Sequence, residues 1–272
     1  MSGLRRIFNL YGQIFNTGMQ STLTYRWNFL FRSVMGFIPL IGSFYLWGAV
    51  FTEKSELTGY SYPLMMAYYI SMVLLDMVTW PGDQDFQVAE DVKEGRVSMA
   101  LTKPMNFQGY RLALHMAALC LNLALAIVPV LLVIAVFSSY FREVPLGQTW
   151  FVSIFAISGA ALVQFAISYC VAMLAFWLLE ITSASIFIFS MEYFAGGHVF
   201  PLDILPAPLY HAAMALPFSY EYFFPTAVLL GRIRGPELVT GFLWLGFWIV
   251  FLFALGHAMW ERGLKKYTSV GG

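Results

Sequence analysis

Six apolar runs constrain this chain more than any other feature: residues 27–51, 62–80, 112–137, 149–179, 184–200 and 239–260. A helix needs about 20 such residues to cross roughly 30 Å of hydrocarbon, and inside lipid every backbone N–H and C=O must be satisfied by the helix itself. The sequence therefore predicts an all-α integral membrane protein of six transmembrane helices, forming one domain over residues 1–272. Only 11% of the residues are charged, where soluble domains carry about 25%. The formal net charge is zero, which argues against a nucleic-acid partner, because phosphate binding needs clustered excess Lys and Arg.

The ends and loops fill in this frame. Residues 1–24 place Leu4, Ile7, Phe8, Leu10, Tyr11, Ile14 and Phe15 at helical spacing beside Arg5 and Arg6, the pattern of an amphipathic helix on a membrane surface and not of a cleavable signal. Residues 209–222 are too short and too proline-flanked to cross, and are expected to form an interfacial or re-entrant segment. With the N-terminus inside, Arg5, Arg6, Arg26, Lys93, Arg96, Lys103, Arg111, Arg262, Lys265 and Lys266 are cytoplasmic. That arrangement follows the positive-inside rule and predicts a multi-pass protein of the cell (plasma or inner) membrane with both termini cytoplasmic, surrounded by membrane lipids. Tyr60, Tyr62, Trp80, Trp150, Tyr220, Tyr222, Trp260 and Tyr267 stand near the predicted boundaries, as an aromatic belt would. Cys120 and Cys170 both lie in apolar runs, so no disulfide framework is expected.

The polar stretch over residues 81–111 stands out against this background. It carries Asp83, Asp85, Glu90, Asp91 and Glu94 with Lys93, Arg96, Lys103 and Arg111. Val88 and Val92 fall one turn apart and Gly95 is placed to end a helix, which predicts a short helix over about residues 88–97 with a small apolar stripe. A solvated connection is the plain reading of such a charge run. The functional reading is a lever that fits a groove on a cytosolic partner.

The segment EDVKEGRVSMALTKPMNFQGYRLA resembles the intracellular loop of bacterial ABC exporter permeases of the type-two class, in particular six-span permeases that pair with a separate ATPase chain. The matching positions are Asp91, Val92, Gly95, Leu101, Lys103 and Pro104. A second element, GGHVFPLDILP, is similar to the glycine- and proline-broken segment that follows the fifth span in that family, matched here by Gly196, Gly197, Pro201, Leu205 and Pro206. The resemblance implies a second permease chain, identical or homologous, and two copies of a cytosolic ATPase docked beneath the pair. It also implies a coupling role for Val88, Glu90, Asp91, Val92, Glu94, Gly95 and Arg96, and an outer gate at Gly196, Gly197, Pro201 and Pro206. The chain has no G-x-x-x-x-G-K-[ST] loop, so ATP and Mg are expected on the partner ATPase, with no cofactor on this chain and no catalysis by it.

Ionisable and aromatic groups in the apolar runs are candidate pathway residues, because a charge in hydrocarbon costs about 2.5–3.5 kcal/mol on insertion scales. These are Asp76, Glu192, Tyr193 and His198. Asp76 also reads as an interfacial residue, and Glu180 with Thr182 and Ser183 as a helix cap. His198, Asp203, His211 and Glu221 lack metal-ligand spacing, so no metal site is expected. Tyr220, Tyr222, Phe223 and Phe224 either line a route for amphiphilic cargo or pack helices. The cargo class stays open between a hydrophobic or amphiphilic compound and a polysaccharide or lipid-linked glycan. An ion-coupled carrier or a membrane scaffold without an ATPase is the rival from another class.

Overall fold

The computed structural model describes the backbone of residues 2–24, 26–80, 84–94, 96–98, 102, 105–178 and 180–267, with the side chains of residues 2–8, 21–24, 26, 28–30, 32, 84, 85 and 146 outside the description. Among the described residues the chain is helical and contains no strand. Five helices are long and apolar enough to cross a bilayer. They are α2 (Arg26–Glu53), α3 (Tyr62–Thr79), α5 (Phe107–Phe137), α6 (Leu146–Met173) and α10 (Gly235–Lys266). Around them lie α1 (Ser2–Thr24) and α4 (Gln84–Lys93).

The chain departs from the expected six spans at residues 184–200. There the helix α7 covers only Thr182–Ala195, 14 residues, which at 1.5 Å per residue is about 21 Å and less than a bilayer's hydrocarbon core. Gly197 stops it, at φ +90°, a backbone state that only glycine adopts without strain. The chain continues through short pieces: a 3₁₀ turn at Leu202–Ile204, α8 (Ala207–Met214), a 3₁₀ turn at Pro217–Tyr220 and α9 (Phe223–Leu229). Thr182 and Ser183 do not cap α7, because the cap position is Ile181 and no side chain bonds there.

Burial sorts the spans into an inner and an outer set. In α3 and α6 61% of the apolar window is buried, against 11% in α2 and 17% in α10, so α3 and α6 form the middle of the bundle while the outer helices present apolar surface to lipid. The main core joins α3, α6 and the short helices through Met65, Met66, Tyr68, Tyr222, Phe223 and Phe224. A second core sits at one end of the bundle, where α4 meets the end of α6 and Trp260 of α10. Ser61 caps α3 by accepting from Leu64 N, and its own hydroxyl donates to Glu143 at 2.6 Å, tying the start of α3 to the turn after α5.

Two expectations change here. The aromatic belt is only partial, because Tyr60, Tyr220 and Tyr222 are at most 1% exposed and belong to the core. The polar hydroxyls let these rings go inside, since each finds a partner there. The amphipathic α1 packs along the start of α5, with Tyr11 against Gly109 and Gly18 against Leu114 and Ala117, so at these positions it rests on protein and not only on a membrane surface.

Candidate functional site

The break after α7 is held by hydroxyls from α3. Tyr68 donates to Gly197 O at 2.7 Å and Tyr69 donates to Val199 O at 2.6 Å. Both tyrosines sit six or more residues inside α3 from its start at Tyr62, roughly 9–10 Å along the helix axis, so the break lies within the bundle and not on its rim. Irregular backbone at that depth needs protein partners for its carbonyls, and these tyrosines supply them. A Cβ on Gly197 would come within 2.6 Å of the Tyr68 hydroxyl, and one on Gly196 would collide with Glu192 O. Both glycines are buried, so the segment expected to form an outer gate is, at Gly196 and Gly197, a tightly packed joint. Pro201 is also buried and opens the next 3₁₀ turn, whereas Pro206 is exposed and its carbonyl accepts from Leu209 N and Tyr210 N at the start of α8.

Beneath the joint the structure gathers the candidate pathway residues around one ring. Tyr222 donates to Asp76 Oδ1 at 3.3 Å and accepts from Gln164 Nε2 of α6 at 2.6 Å. His198 stands edge-on to Tyr222 with ring centroids 4.2 Å apart, and Tyr193 stacks on the other side of His198 at 5.1 Å. Glu192 lies close enough to act electrostatically on both Tyr222 and Glu221. Glu221 is 2% exposed with neither carboxyl oxygen hydrogen-bonded among the described residues. An unpaired buried carboxylate is far costlier than a neutral acid, so burial first, then the nearby Glu192, disfavours the charged form of Glu221. Asp76 and Glu192 are half-buried and Tyr193 is 47% exposed, so this polar group runs from a face of the bundle into its core.

Further along, an ion-pair clasp closes the same segment. Arg232 donates from Nε to Asp203 Oδ2 at 3.0 Å, from Nη1 to Gly59 O at 2.8 Å and from Nη2 to Thr58 O at 2.9 Å. Its guanidinium lies 4.2 Å over the Tyr60 ring, and the Tyr60 hydroxyl donates to Asp203 at 2.9 Å. Burial first, then the Asp203 carboxylate, pushes the Tyr60 phenol far above its ordinary range, so it remains a donor. Asp203 is thus engaged by Arg232 and Tyr60 while His198 is engaged by aromatic rings, and the two do not converge. Among the described residues no three His, Cys, Asp or Glu side chains come together to hold a metal.

At the opposite end, α4 begins and ends four residues earlier than expected, covering Gln84–Lys93. Val88 and Val92 are 1% and 6% exposed and pack with Met173, Phe176 and Trp260, so the apolar stripe expected to meet a partner faces this chain's own core. The reason is that a stripe this small gains most by covering the apolar end of α6. What remains outward is charge. Glu90, Lys93 and Glu94 are exposed and Asp91 half-buried, and Arg96 bridges to Asp91 at 2.8 Å, to Glu90 at 3.7 Å and to Glu94. Gly95, Leu101, Lys103 and Pro104 lie outside the described residues.

Sequence reading missed Gln164, Tyr68 and Tyr69 as parts of this constellation. A glutamine midway along an otherwise apolar span was the available signal, since an amide in hydrocarbon needs a partner. The tyrosines carried no such signal, as their hydroxyl partners are 129 and 130 residues away.

No curated protein and no solved structure matches the chain. A family model described as ABC-2 family transporter protein matches residues 37–271, a range that takes in α4, all five spanning helices beyond the first turns of α2, the broken segment after α7 and the polar group around Tyr222. With a multi-pass helical bundle, a charged helix at one end and a buried break near the other, the chain belongs to the ABC-2 transporter family as a membrane permease.

Proposed function

We propose that this chain is one half of the membrane pathway of an ATP-driven exporter, paired with a second permease chain, identical or homologous, and resting on two copies of a cytosolic ATPase that bind ATP and Mg. In this reading the α4 end faces the cytoplasm and α7, too short to cross alone, serves as a sixth membrane segment completed by the broken stretch that follows it. The cargo is a hydrophobic or amphiphilic compound moved outward.

The observation that carries the reading is the continuity of α6. Its last turn holds α4 through Met173, and its middle holds Tyr222 through Gln164, about 14 Å apart along one helix. A helix is stiff over that length, so a displacement of α4 by the closing ATPases reaches the joint at Gly196 and Gly197 without any flexible link between. The charged face of Glu90, Lys93, Glu94 and Arg96 gives the ATPase its contact, while buried Val88 and Val92 transmit the push. Two packings of α7 against Tyr222 and His198 would then be the closed and open states of the gate. Catalysis stays with the ATPase, and this chain supplies the passage.

The test is purification of the tagged chain from native membranes in mild detergent with ATP hydrolysis measured on the product. A stoichiometric ATPase, weakened by a Glu90→Lys, Glu94→Lys pair that leaves Tm where it was, supports the reading. Purification of the chain alone, with transport in vesicles that ignores ATP, overturns it. One observation favours a second reading, that of an ion-coupled carrier: buried Glu221 lies close to Glu192, with Asp76 on the adjacent Tyr222 hydroxyl, an arrangement that could take up a proton. That reading requires cargo movement driven by a pH gradient without ATP and lost in Glu221→Gln.

A further inference from the structure

Away from the Tyr222 group, a groove of about 510 Å³ runs between α3, α5, α6 and α9. That volume falls within the roughly 300–1,000 Å³ of ligand sites. Its wall is apolar from Val78 and Leu123 at one end to Leu229 near the other. The rim residues Leu123 and Ile134 are 52% and 51% exposed, so the groove opens sideways, toward the space that lipid fills around a bundle. Along α5 it extends from Leu123 to the helix end at Phe137, about 21 Å at helical rise, and on past the 3₁₀ turn at Ser138–Phe141 to Arg142, which exceeds the roughly 15 Å of hydrocarbon in one leaflet.

The mouth differs from the wall. Arg142 closes the groove at the end opposite α4, is exposed, and forms no ion pair or hydrogen bond among the described residues. Its acidic neighbour Glu143 is occupied by the Ser61 hydroxyl. Two residues before it, Tyr140 packs against the rings of Tyr62 and Phe44, an aromatic cluster of the kind that sits at headgroup depth. A cation at headgroup level above a lengthwise apolar slot matches one chemistry: an anionic head on a long alkyl chain.

We propose that this groove binds an anionic membrane phospholipid from the leaflet opposite α4, with one acyl chain along α3 and α5 and its phosphate at Arg142. The site is separate from the α4 face and from the Tyr222 group, and it stands whether or not an ATPase partners the chain.

The experiment reconstitutes the full chain, with any co-purifying partners, in nanodiscs of equal phosphatidylglycerol and phosphatidylcholine, then extracts it gently and reads bound lipid by native mass spectrometry. Phosphatidylglycerol retained about fivefold over phosphatidylcholine, the worth of one interfacial cation–headgroup contact, is the expected result, with parity in Arg142→Gln and recovery in Arg142→Lys. Parity in the unmodified chain, which is annular lipid only, overturns the proposal, as does an undiminished preference in Arg142→Gln. A second measurement needs no variant: phosphatidylglycerol carrying a photoreactive group in its acyl chain should label Leu123 and Ile134 well above Leu243 and Val250, which face outward on α10. Equal labelling of the two sets overturns the acyl placement.

Discussion

Two polar regions interrupt this apolar chain, and they handle charge in opposite ways. On α4 the charges sit in water, and Arg96 is shared among Glu90, Asp91 and Glu94 at 40% exposure. Around the break after α7, Arg232 and Asp203 are 23% and 19% exposed and are further bonded to Gly59, Thr58 and Tyr60. Exposed pairs contribute about 0–1 kcal/mol each, so α4 gains little stability from its charges and can spend them on a partner. A partly buried pair with all three guanidinium nitrogens engaged is different: removing one member strands the other away from water. The contrast teaches that polar density in a membrane protein does not itself mark the stable or the mobile part, and that the degree of burial does.

That contrast can be broken by substitution. Gly197→Ala has the largest expected effect, about 3 kcal/mol or more, because φ +90° strains any side chain and the new Cβ meets the Tyr68 hydroxyl. The detergent-purified protein should lose most of its folded fraction on mild warming, followed by tryptophan fluorescence. Arg232→Gln comes next, at about 2 kcal/mol, since Asp203 keeps only the Tyr60 hydroxyl; a Tm unchanged from the parent would mean that the clasp is ornamental. Tyr68→Phe should cost about 1 kcal/mol by orphaning Gly197 O, and Tyr69→Phe should cost a similar amount through Val199 O, both seen as faster amide exchange at residues 196–200.

Arg96→Ala stands last on stability, at under about 0.5 kcal/mol, and sharpens the comparison by its second readout. If α4 is a docking face, this variant should weaken ATPase co-purification while leaving Tm where it was. A fall in Tm equal to that of Arg232→Gln would erase the distinction between the two regions. By the same logic Val92→Asp should behave like a core lesion, lowering Tm before it affects docking, because Val92 is buried against the end of α6.

Much of this was legible in the sequence. Hydropathy along the chain anticipated an all-helical protein, and five of the six expected runs coincide with helices long and apolar enough to cross; the run at 184–200 was expected to cross as well, and its helix ends at Ala195, too short to do so alone. Asp76, Glu192, Tyr193 and His198 were legible as unusual, and the structure brings them around Tyr222. The direction of the Val88–Val92 stripe was not legible, because an amphipathic helix fits a partner's groove and its own chain's core by the same pattern.

Local physics explains the division. Crossing a membrane depends on the solvation of about 20 consecutive residues, and breaking a helix depends on the φ of one or two, so the sequence by itself determined a multi-pass helical protein with a charged helix on one side and an interrupted segment near its end. Which polar group meets which depends on packing between residues far apart in the chain. Tyr60 finds Asp203 across 143 positions and Tyr222 finds Asp76 across 146. Only the tertiary structure decided that Tyr60 and Tyr222 are core residues instead of a belt, that Glu221 is buried with no hydrogen-bond partner among the described residues, and that α6 links the α4 end to the joint. Side-chain hydroxyls and carboxyls are satisfied by three-dimensional neighbours, and no local pattern names them.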